Sequence, residues 1–511
     1  MAGRCVIFTA VMAAAALSAS GCGALRNQDG RTMGSQGGQA LESQDGQTLE
    51  HQDGQALENQ DGQTLEHQDG QAPENQDGQT PVESGGAGGA GADRESAAGS
   101  GPDGESGDGR RPGLDEEAEE IILPSRFDYR EQGKLPLAGD QGDLGTCWAF
   151  SSLMAMESTL LPEESWDFSE DHMSRMNSFS LAQEEGGQYA MSMAYLLAWQ
   201  GPVREEDDAY GDGYSPEGLQ PVKHVQEIRI LEEKDYDRIK RAVYETGGVQ
   251  SSLYTTLQNV KSTDPYYSRE TCGYYYPGEE KPNHNVVIVG WDDDYPRENF
   301  TEQPQGDGAF ICLNSWGQQF GEEGCFYVSY YDANIGAVNV LYSGITDPDV
   351  YTGIYQSDLC GWIGQLGYGQ ADAWFSNAYQ AAGDETLTAV GFYATMPDTR
   401  YTVYAQTGGQ GPEELVLSES LASGSFTDAG FYTVPISQEI PLKSGEKFWI
   451  TVQIHTPGAI HPVAIEYQAS DMGGKVDLSD GEGYLSQDGK TWVSAEQTQK
   501  ANLCLKAYTV K

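Results

Sequence analysis

An eight-residue repeat near the N-terminus limits folding to the part of the chain that follows it. Each repeat brings an acidic, glycine-containing turn and at most one leucine, as in "LEHQDGQALENQDGQT". So little apolar surface cannot offset the conformational entropy that folding removes. The repeats start at Gln28, Gln36, Gln44, Gln52, Gln60, Gln68 and Gln76. A glycine-rich stretch continues to about Gly113, and we therefore predict a disordered linker over residues 23–120.

Residues 1–22 have the layout of an export signal. Arg4 precedes an apolar stretch from Val6 to Leu17 that is too short to span a bilayer, and small residues follow. The closing "SASGC" resembles a bacterial lipoprotein signal, although Ala19 stands where leucine is usual. That resemblance implies lipid attachment at Cys22 and a lipid-anchored protein on the bacterial cell surface. The alternative is a plain secretory signal with an incidental cysteine, and hence a secreted protein.

The charge balance excludes two classes of partner. The chain has 29 Lys and Arg against 79 Asp and Glu, a formal net charge of −50, which argues against binding to nucleic acid or to an anionic membrane surface. Membrane contact is expected only through the lipid anchor. The eight cysteines include no CxxC pair, so neither a metal nor another cofactor is predicted. Disulfide pairing stays open among Cys272, Cys312, Cys325, Cys360 and Cys504.

Two folded parts follow the linker. In residues 121–345, "TCWAFSSLMAMESTLLP" has apolar residues at helical intervals up to Pro162, whereas "HNVVIVGW" is typical of a strand. Residues 350–511 carry short alternating runs such as "EKFWITVQI" between Gly, Pro and Asp turns. This pattern predicts a mixed α and β part followed by an all-β sandwich.

Cys147 lies where a polar, glycine-rich run turns into the predicted helix. Backbone N–H groups at a helix start and the helix dipole favour an anion, so the thiolate form should be accessible. The alternative is a buried, inert cysteine in an apolar helix. A nucleophilic thiol also needs a base, and His284 is the candidate because it opens the apolar strand "HNVVIVGW". Imidazole beside a thiol keeps the sulfur deprotonated and later protonates a leaving amine.

Three further side chains complete the hypothesis. Asn314, in "CLNSWG", would accept a hydrogen bond from the second ring nitrogen of His284 and so orient the ring. Trp316 would cover that hydrogen bond and exclude water. Gln141, six residues before the cysteine, would bind the oxyanion together with the Cys147 backbone N–H.

The segments "DQGDLGTCWAFS", "HNVVIVGW" and "NSWG" followed by "FGEEGCFYVSYY" resemble the three signature blocks of papain-family cysteine peptidases. The resemblance implies a two-lobed α+β domain over residues 121–345, with a helical lobe and a β-barrel-like lobe. It also implies that Gly186, Gly187, Tyr189 and Trp316 contact the substrate. Leu144 stands where many members have a disulfide cysteine, and Asn283 precedes the histidine where aspartate is common.

Residues 350–511 contain "GFYATMPDTRYTVYAQ" and "GYLSQDGKTWVS". With these segments they resemble the lectin-like sandwich that follows papain-like domains in some bacterial surface proteins. Trp492 and Tyr484 would then either stack on a sugar or pack in the core, and Cys360 and Cys504 would either pair or stay free. We therefore predict a monomeric cell-surface or secreted cysteine endopeptidase, which acts on protein or peptide substrates and binds surface glycans through this domain. The alternatives are an adhesin or carbohydrate-binding protein on a peptidase-like scaffold, and a cell-wall amidase.

Overall fold

The structure, a computed structural model, describes residues 121–469 and 474–511. The predicted export signal, with Cys22, and the predicted linker at residues 23–120 lie outside the described residues.

Residues 121–346 combine helices with β-strands. In chain order the elements are β1 (Arg126–Asp128), α1 (Tyr129–Gln132), α2 (Cys147–Leu160), α3 (Glu170–Arg175), α4 (Tyr189–Leu197), β2 (His224–Ile230), α5 (Tyr236–Glu245), β3 (Val249–Leu253), β4 (Tyr267–Ser268), β5 (Gly273–Tyr274), β6 (His284–Asp292), β7 (Ala309–Leu313), β8 (Cys325–Ser329) and β9 (Val340–Thr346). Short 3-10 turns lie at Gln183–Glu185 and Arg297–Asn299.

Helix α2 is the central helix of this part. Every residue from Cys147 to Ser158 is buried, because α3, α4, β6 and β9 pack around the helix. A helix that is apolar on most sides is stable only when it is enclosed. Leu161 is extended and ends the helix just before Pro162, as the sequence predicts. The enclosure holds the first residue of the helix, Cys147, in a fixed position.

Strand β6 connects the sheet to the start of α2. It pairs antiparallel with β3 on one side and with β7 on the other. The register sets His284 opposite Leu253 and Val287 opposite Leu313. Asn314 follows β7 directly, so this pairing brings His284 and Asn314 to the same end of the sheet.

Residues 353–511 are almost entirely β-structure, as predicted. In chain order the elements are β10 (Gly353–Tyr355), β11 (Gly364–Leu366), β12 (Asp372–Gln380), β13 (Glu385–Ala394), β14 (Thr399–Thr407), β15 (Ala422–Phe426), β16 (Ala429–Leu442), β17 (Lys447–His455), β18 (Val463–Tyr467), β19 (Gly483–Ser486), β20 (Trp492–Ser494), α6 (Ala495–Thr498), β21 (Ala501–Leu503) and β22 (Leu505–Val510). A 3-10 turn lies at Pro412–Glu414.

These strands enclose a second hydrophobic core. One layer is a six-stranded sheet in the order β15-β14-β17-β12-β19-β20, and the other contains β10, β22, β13 and β16. The core between them includes Phe375 and Val403 from the first layer and Val390 and Phe392 from the second. A small sheet of β11, β18 and β21 accompanies them.

A single sheet runs through both parts of the chain. Strand β16 pairs antiparallel with β2, with Ala429 opposite Ile230 and Tyr432 opposite Glu227. The described sheet therefore continues from β10 through β16 and β2 to β4. Residues 121–469 and 474–511 accordingly belong to one compact unit.

Two sets of side chains reinforce this junction. Asp428, just before β16, contacts Arg238 at 2.6 Å and Arg229 at 3.7 Å. The Thr433 hydroxyl donates to the Gln226 side-chain oxygen at 2.9 Å. The sandwich also contacts the helical region away from this junction. There the Ser178 carbonyl accepts from the backbone N–H of Lys475 at 3.0 Å and from the Cys360 thiol at 3.4 Å.

The cysteines of the described part are all buried, and those with a free thiol include Cys272, Cys312, Cys325, Cys360 and Cys504. Of the two possibilities for Cys360 and Cys504, free thiols are therefore the one observed. Among the described helices, none has both the length and the apolar character needed to cross a membrane. Within residues 121–469 and 474–511, no group of three or more His, Cys, Asp or Glu side chains is placed to hold a metal ion.

Candidate active site

Cys147 is the first residue of α2 and is 2% exposed. Thr146 precedes it as the N-cap, but its hydroxyl makes no cap hydrogen bond and instead lies 2.5 Å from the Tyr210 hydroxyl. The backbone N–H of Gly145 donates to the Gln183 carbonyl at 2.9 Å. Contacts from outside the helix thus fix this turn, and the positive dipole end of α2 favours an anion at the sulfur.

His284 lies at the start of β6 and is buried, with 1% exposure. Its Nε2 donates to Asn314 Oδ1 at 2.7 Å. The next residue, Asn285, has its side-chain nitrogen 3.8 Å from Cys147 Sγ, so this end of β6 lies against the thiol. With Nε2 donating to Asn314, Nδ1 is the ring nitrogen available to accept a proton.

Asn314 is fully buried and is held on both sides. Its Oδ1 accepts from the Ser315 backbone N–H at 2.8 Å as well as from His284, and its own N–H donates to the Gly324 carbonyl at 3.0 Å. The Trp316 ring stacks on the imidazole with the ring centroids 4.7 Å apart and the planes 19° from parallel. Trp316 is 3% exposed, and its ring covers one face of the imidazole.

Gln141 is joined directly to the segment that carries Asn314 and Trp316. Its backbone N–H donates to the Ser315 carbonyl at 2.9 Å, and its side-chain Oε1 accepts from the Ser315 hydroxyl at 2.6 Å. Its Nε2 donates one hydrogen to the Leu144 carbonyl at 2.7 Å. A primary amide has two such hydrogens, so one remains for a ligand. The side chain is 2% exposed and therefore preorganised.

The predicted substrate-contacting glycines lie between the first 3-10 turn and α4. Gly186 has a φ of +84°, and a Cβ at Gly187 would lie 2.4 Å from the Trp148 indole nitrogen. Only glycine allows this close approach of the backbone to Trp148. Tyr189 is the first residue of α4 and is half-buried against the core.

Two buried carboxyls lie in the helical region, and burial shifts the pKa of both. Glu157, on α2, is 4% exposed and accepts from the Phe168 N–H at 2.9 Å. Burial raises the pKa of Glu157 well above its usual range, and burial does the same for the pKa of Glu170 on α3. Burial thus disfavours the charged form of both carboxyls.

Sequence reasoning missed three residues of this site. Ser315 fixes the Gln141 side chain, and Tyr210 contacts both Thr146 and the Gln141 carbonyl, the latter at 3.0 Å. Asn285 touches the thiol. The "NSWG" block contains Ser315 and offered a signal for it, whereas Tyr210 lies in an acidic loop without a recognisable motif.

Comparison with known proteins finds a family model for each of the two folded parts. Residues 123–344 match the model of the papain family cysteine protease, and residues 354–509 match the model of a lectin-like domain. Cysteine proteinase 15A of Pisum sativum is 28% identical over 237 residues, which cover 44% of this chain and 62% of the relative. Cathepsin K of Mus musculus is 28% identical and covers 40% of this chain and 58% of its own length. The chain thus spans about three fifths of these curated relatives.

Among solved structures, the fold is similar to the cysteine protease and lectin-like domains of Cwp84, a surface layer associated protein of Clostridium difficile. The TM-score is 0.67 at 24% identity, over 76% of this chain and 90% of that one. This likeness extends over both folded parts. The chain therefore has a papain-like domain at residues 123–344, followed by an all-β lectin-like domain at residues 354–509.

Proposed function

We propose that the chain is a cysteine endopeptidase that hydrolyses peptide bonds in protein or peptide substrates. The observation that carries this proposal is the 2.7 Å hydrogen bond from His284 to Asn314, screened by Trp316, at the point where α2 presents Cys147. A scaffold that only binds a ligand would need none of these side chains in this arrangement.

The proposed reaction begins with proton transfer from Cys147 to His284. The sulfur attacks the peptide carbonyl carbon, and the carbonyl electron pair moves to oxygen, where the Cys147 backbone N–H and the free Gln141 amide hydrogen bind it. The carbon–nitrogen bond breaks as His284 returns the proton to the leaving amine. Water, deprotonated by His284, then cleaves the thioester and releases the acid and the thiol. Asn314 keeps the imidazole oriented throughout.

Substrate contacts follow from the position of the glycine pair. We assign pairing with an extended substrate backbone to Gly186 and Gly187, and contact with the side chain two residues before the scissile bond to Tyr189. The tight packing of Gly187 on Trp148 supports this assignment, since a Cβ there would push the backbone away. Trp316 is assigned to the far side of the cleft, where it covers His284.

The test is cleavage of a fluorogenic peptide library by the purified protein, with and without an epoxide thiol trap, beside Cys147→Ala. We expect cleavage that the trap blocks and that the variant lacks. Cys272→Ala is the matched control, because Cys272 is a second buried cysteine, at 8% exposure against 2% for Cys147. If the trap labels Cys272 in preference to Cys147, accessibility rather than activation determines reactivity, and the proposal fails.

We also propose that the protein acts outside the cytoplasm, anchored through lipid on Cys22 or else secreted. The export signal at residues 1–22 supports this, as does the fold shared with a surface layer associated protein. Mass spectrometry of the mature N-terminus tests it, because a diacylated Cys22 and an unmodified secreted N-terminus differ in mass.

A second candidate function is glycan binding by the lectin-like domain. Trp374, Tyr404, Tyr484 and Trp492 occupy positions that the register assigns to one face of the six-stranded sheet. The intervening residues, such as Phe375, belong to the core on the other face. Trp492 and Tyr484 are half-buried and outside that core, which favours sugar stacking over core packing for both.

The polar groups of this face suit a sugar ligand. The Trp374 and Tyr404 rings stack with centroids 5.9 Å apart. Gln453 lies opposite Trp374 on one side and opposite Thr402 on the other. Aromatic rings cover the apolar faces of sugars, while amides and hydroxyls bind their hydroxyl groups. Trp374→Ala should abolish binding on a glycan array, whereas Tyr214→Ala, an exposed aromatic of the protease domain at 64% exposure, should not.

A further inference from the structure

Asn285 directs its side chain at the sulfur of the active-site cysteine. Its Nδ2 lies 3.8 Å from Cys147 Sγ, within reach of an N–H···S hydrogen bond. Within the described part of the chain, the Asn285 side chain makes no other hydrogen bond. The residue is half-buried, so water competes with the contact only from one side.

The position of the amide is set by the sheet. Asn285 is the second residue of β6 and pairs with Ser252 of β3. Immediately before the strand, the Asn283 side chain exchanges two hydrogen bonds of 2.9 Å with the Thr255 backbone. Strand pairing thus fixes the backbone of Asn285, and the Asn283 hydrogen bonds fix the segment just before the strand. The Asn285 amide is therefore held beside the sulfur before any substrate binds.

The Asn285 N–H donor interacts more strongly with a charged sulfur than with a neutral one. A thiolate carries a full negative charge, and hydrogen bonds to ionised acceptors are shorter and stronger than those to neutral ones. The amide N–H therefore stabilises the thiolate more than the thiol. It adds to two other influences on the sulfur, namely the positive end of α2 and the protonated imidazole of His284.

We propose that Asn285 is a further catalytic residue, which donates a side-chain hydrogen bond to the Cys147 thiolate in the free enzyme. The proposal rests on the proposed peptidase function. When the sulfur forms its bond to the substrate carbon, the negative charge moves to the carbonyl oxygen and the hydrogen bond from Asn285 weakens. The residue thus sets the fraction of enzyme that holds a reactive thiolate, rather than the stability of the tetrahedral intermediate.

The test is the pH dependence of Cys147 alkylation by iodoacetamide in the purified protein, compared with Asn285→Ala and Asn285→Asp. Loss of one hydrogen bond to the charged form should move the acidic midpoint of the alkylation profile upward by about half a unit to one unit in Asn285→Ala. The added carboxylate of Asn285→Asp should move it further in the same direction. Peptide cleavage at pH 5 should fall by roughly threefold to tenfold in Asn285→Ala, with little change at pH 7.5.

Ser252→Ala is the matched control. Ser252 faces Asn285 across the strand pair, and its buried hydroxyl has no hydrogen-bond partner in the described part of the chain. Its removal should leave the alkylation midpoint unchanged. If the alkylation midpoints of Asn285→Ala and Asn285→Asp match wild type within about 0.2 pH units, the proposed role of Asn285 is overturned. That result leaves the proposed peptidase function standing. If wild-type Cys147 reacts no faster than Cys272, the proposed peptidase function fails as well.

Discussion

Replacement of Asn314 by alanine should slow peptide cleavage without preventing folding. In the native site Asn314 Oδ1 accepts from His284 Nε2 at 2.7 Å and from the Ser315 N–H at 2.8 Å. The first of these bonds becomes charge-assisted once His284 has taken the thiol proton. Such bonds contribute about 1.5–3 kcal/mol, and each 1.36 kcal/mol changes a rate tenfold. We therefore expect kcat/KM to fall by roughly 10- to 150-fold.

The loss should appear mainly in kcat, because Asn314 orients His284 and touches no part of the substrate. Asn314→Asp keeps an acceptor for the imidazole and should retain more activity than Asn314→Ala. Removal of Oδ1 also leaves the buried Ser315 N–H unpaired, at a cost of about 1–3 kcal/mol in the free energy of unfolding. Steady-state kinetics should therefore be measured well below the melting temperature that thermal denaturation gives for each variant.

Asn283→Ala provides the comparison. Asn283 is adjacent to His284, but its side chain bonds the Thr255 backbone and lies outside the proposed triad. It should lose stability and little activity at 25 °C. If Asn314→Ala is folded and its kcat/KM stays within about threefold of wild type, orientation of the ring by Asn314 does not limit catalysis and the reasoning is refuted.

Three further predictions test other parts of the structure. Gln141→Ala should reduce kcat by about 100-fold in steady-state assays, and an effect confined to KM would argue against its role at the oxyanion. Gly430→Ala should lower the melting temperature by several degrees, because its Cβ would lie 2.0 Å from the Ile228 carbonyl oxygen. Gly383→Ala is the control, since a Cβ there would have no atom within 4 Å. Equal melting temperatures for the two variants would contradict the tight β2–β16 pairing. Burial raises the pKa of Glu466 to about 7, so the unfolded chain releases this proton at lower pH than the folded protein does, and stability should fall as pH rises from about 4.5 to 7. Glu466→Gln should flatten that part of the melting-temperature profile, and an unchanged slope would exclude Glu466 as its source.

Local patterns in the sequence predict much of the site. The change from a glycine-rich run to an apolar helix at Cys147, and the strand that begins at His284, are both encoded in a few adjacent residues, and the structure has both elements. The junction between the two folded parts could not be predicted in this way. Strand pairing between β2 and β16 joins residues about two hundred positions apart. It is made by backbone groups at the strand edges, and the side-chain pattern of a strand does not identify which other strand pairs with it.

Asn285 illustrates a second limit. Alternation along β6 predicts that the side chains of His284 and Asn285 point to opposite faces of the sheet. With His284 assigned to the thiol, the sequence alone therefore did not predict a contact between Asn285 and Cys147. The contact arises because α2 starts beside the strand end, which places the Asn285 amide nitrogen 3.8 Å from Cys147 Sγ. Such a detail depends on the placement of two elements and not on either one.

The sheet that passes from the lectin-like domain into the protease domain also governs how the enzyme would be presented to its surroundings. Because β16 is hydrogen-bonded to β2, the two domains have no hinge between them at this point. A molecule held by its second domain to a surface would keep its catalytic cleft at one fixed angle and height. Cleavage would then select substrates by their pose on that surface as well as by their side chains.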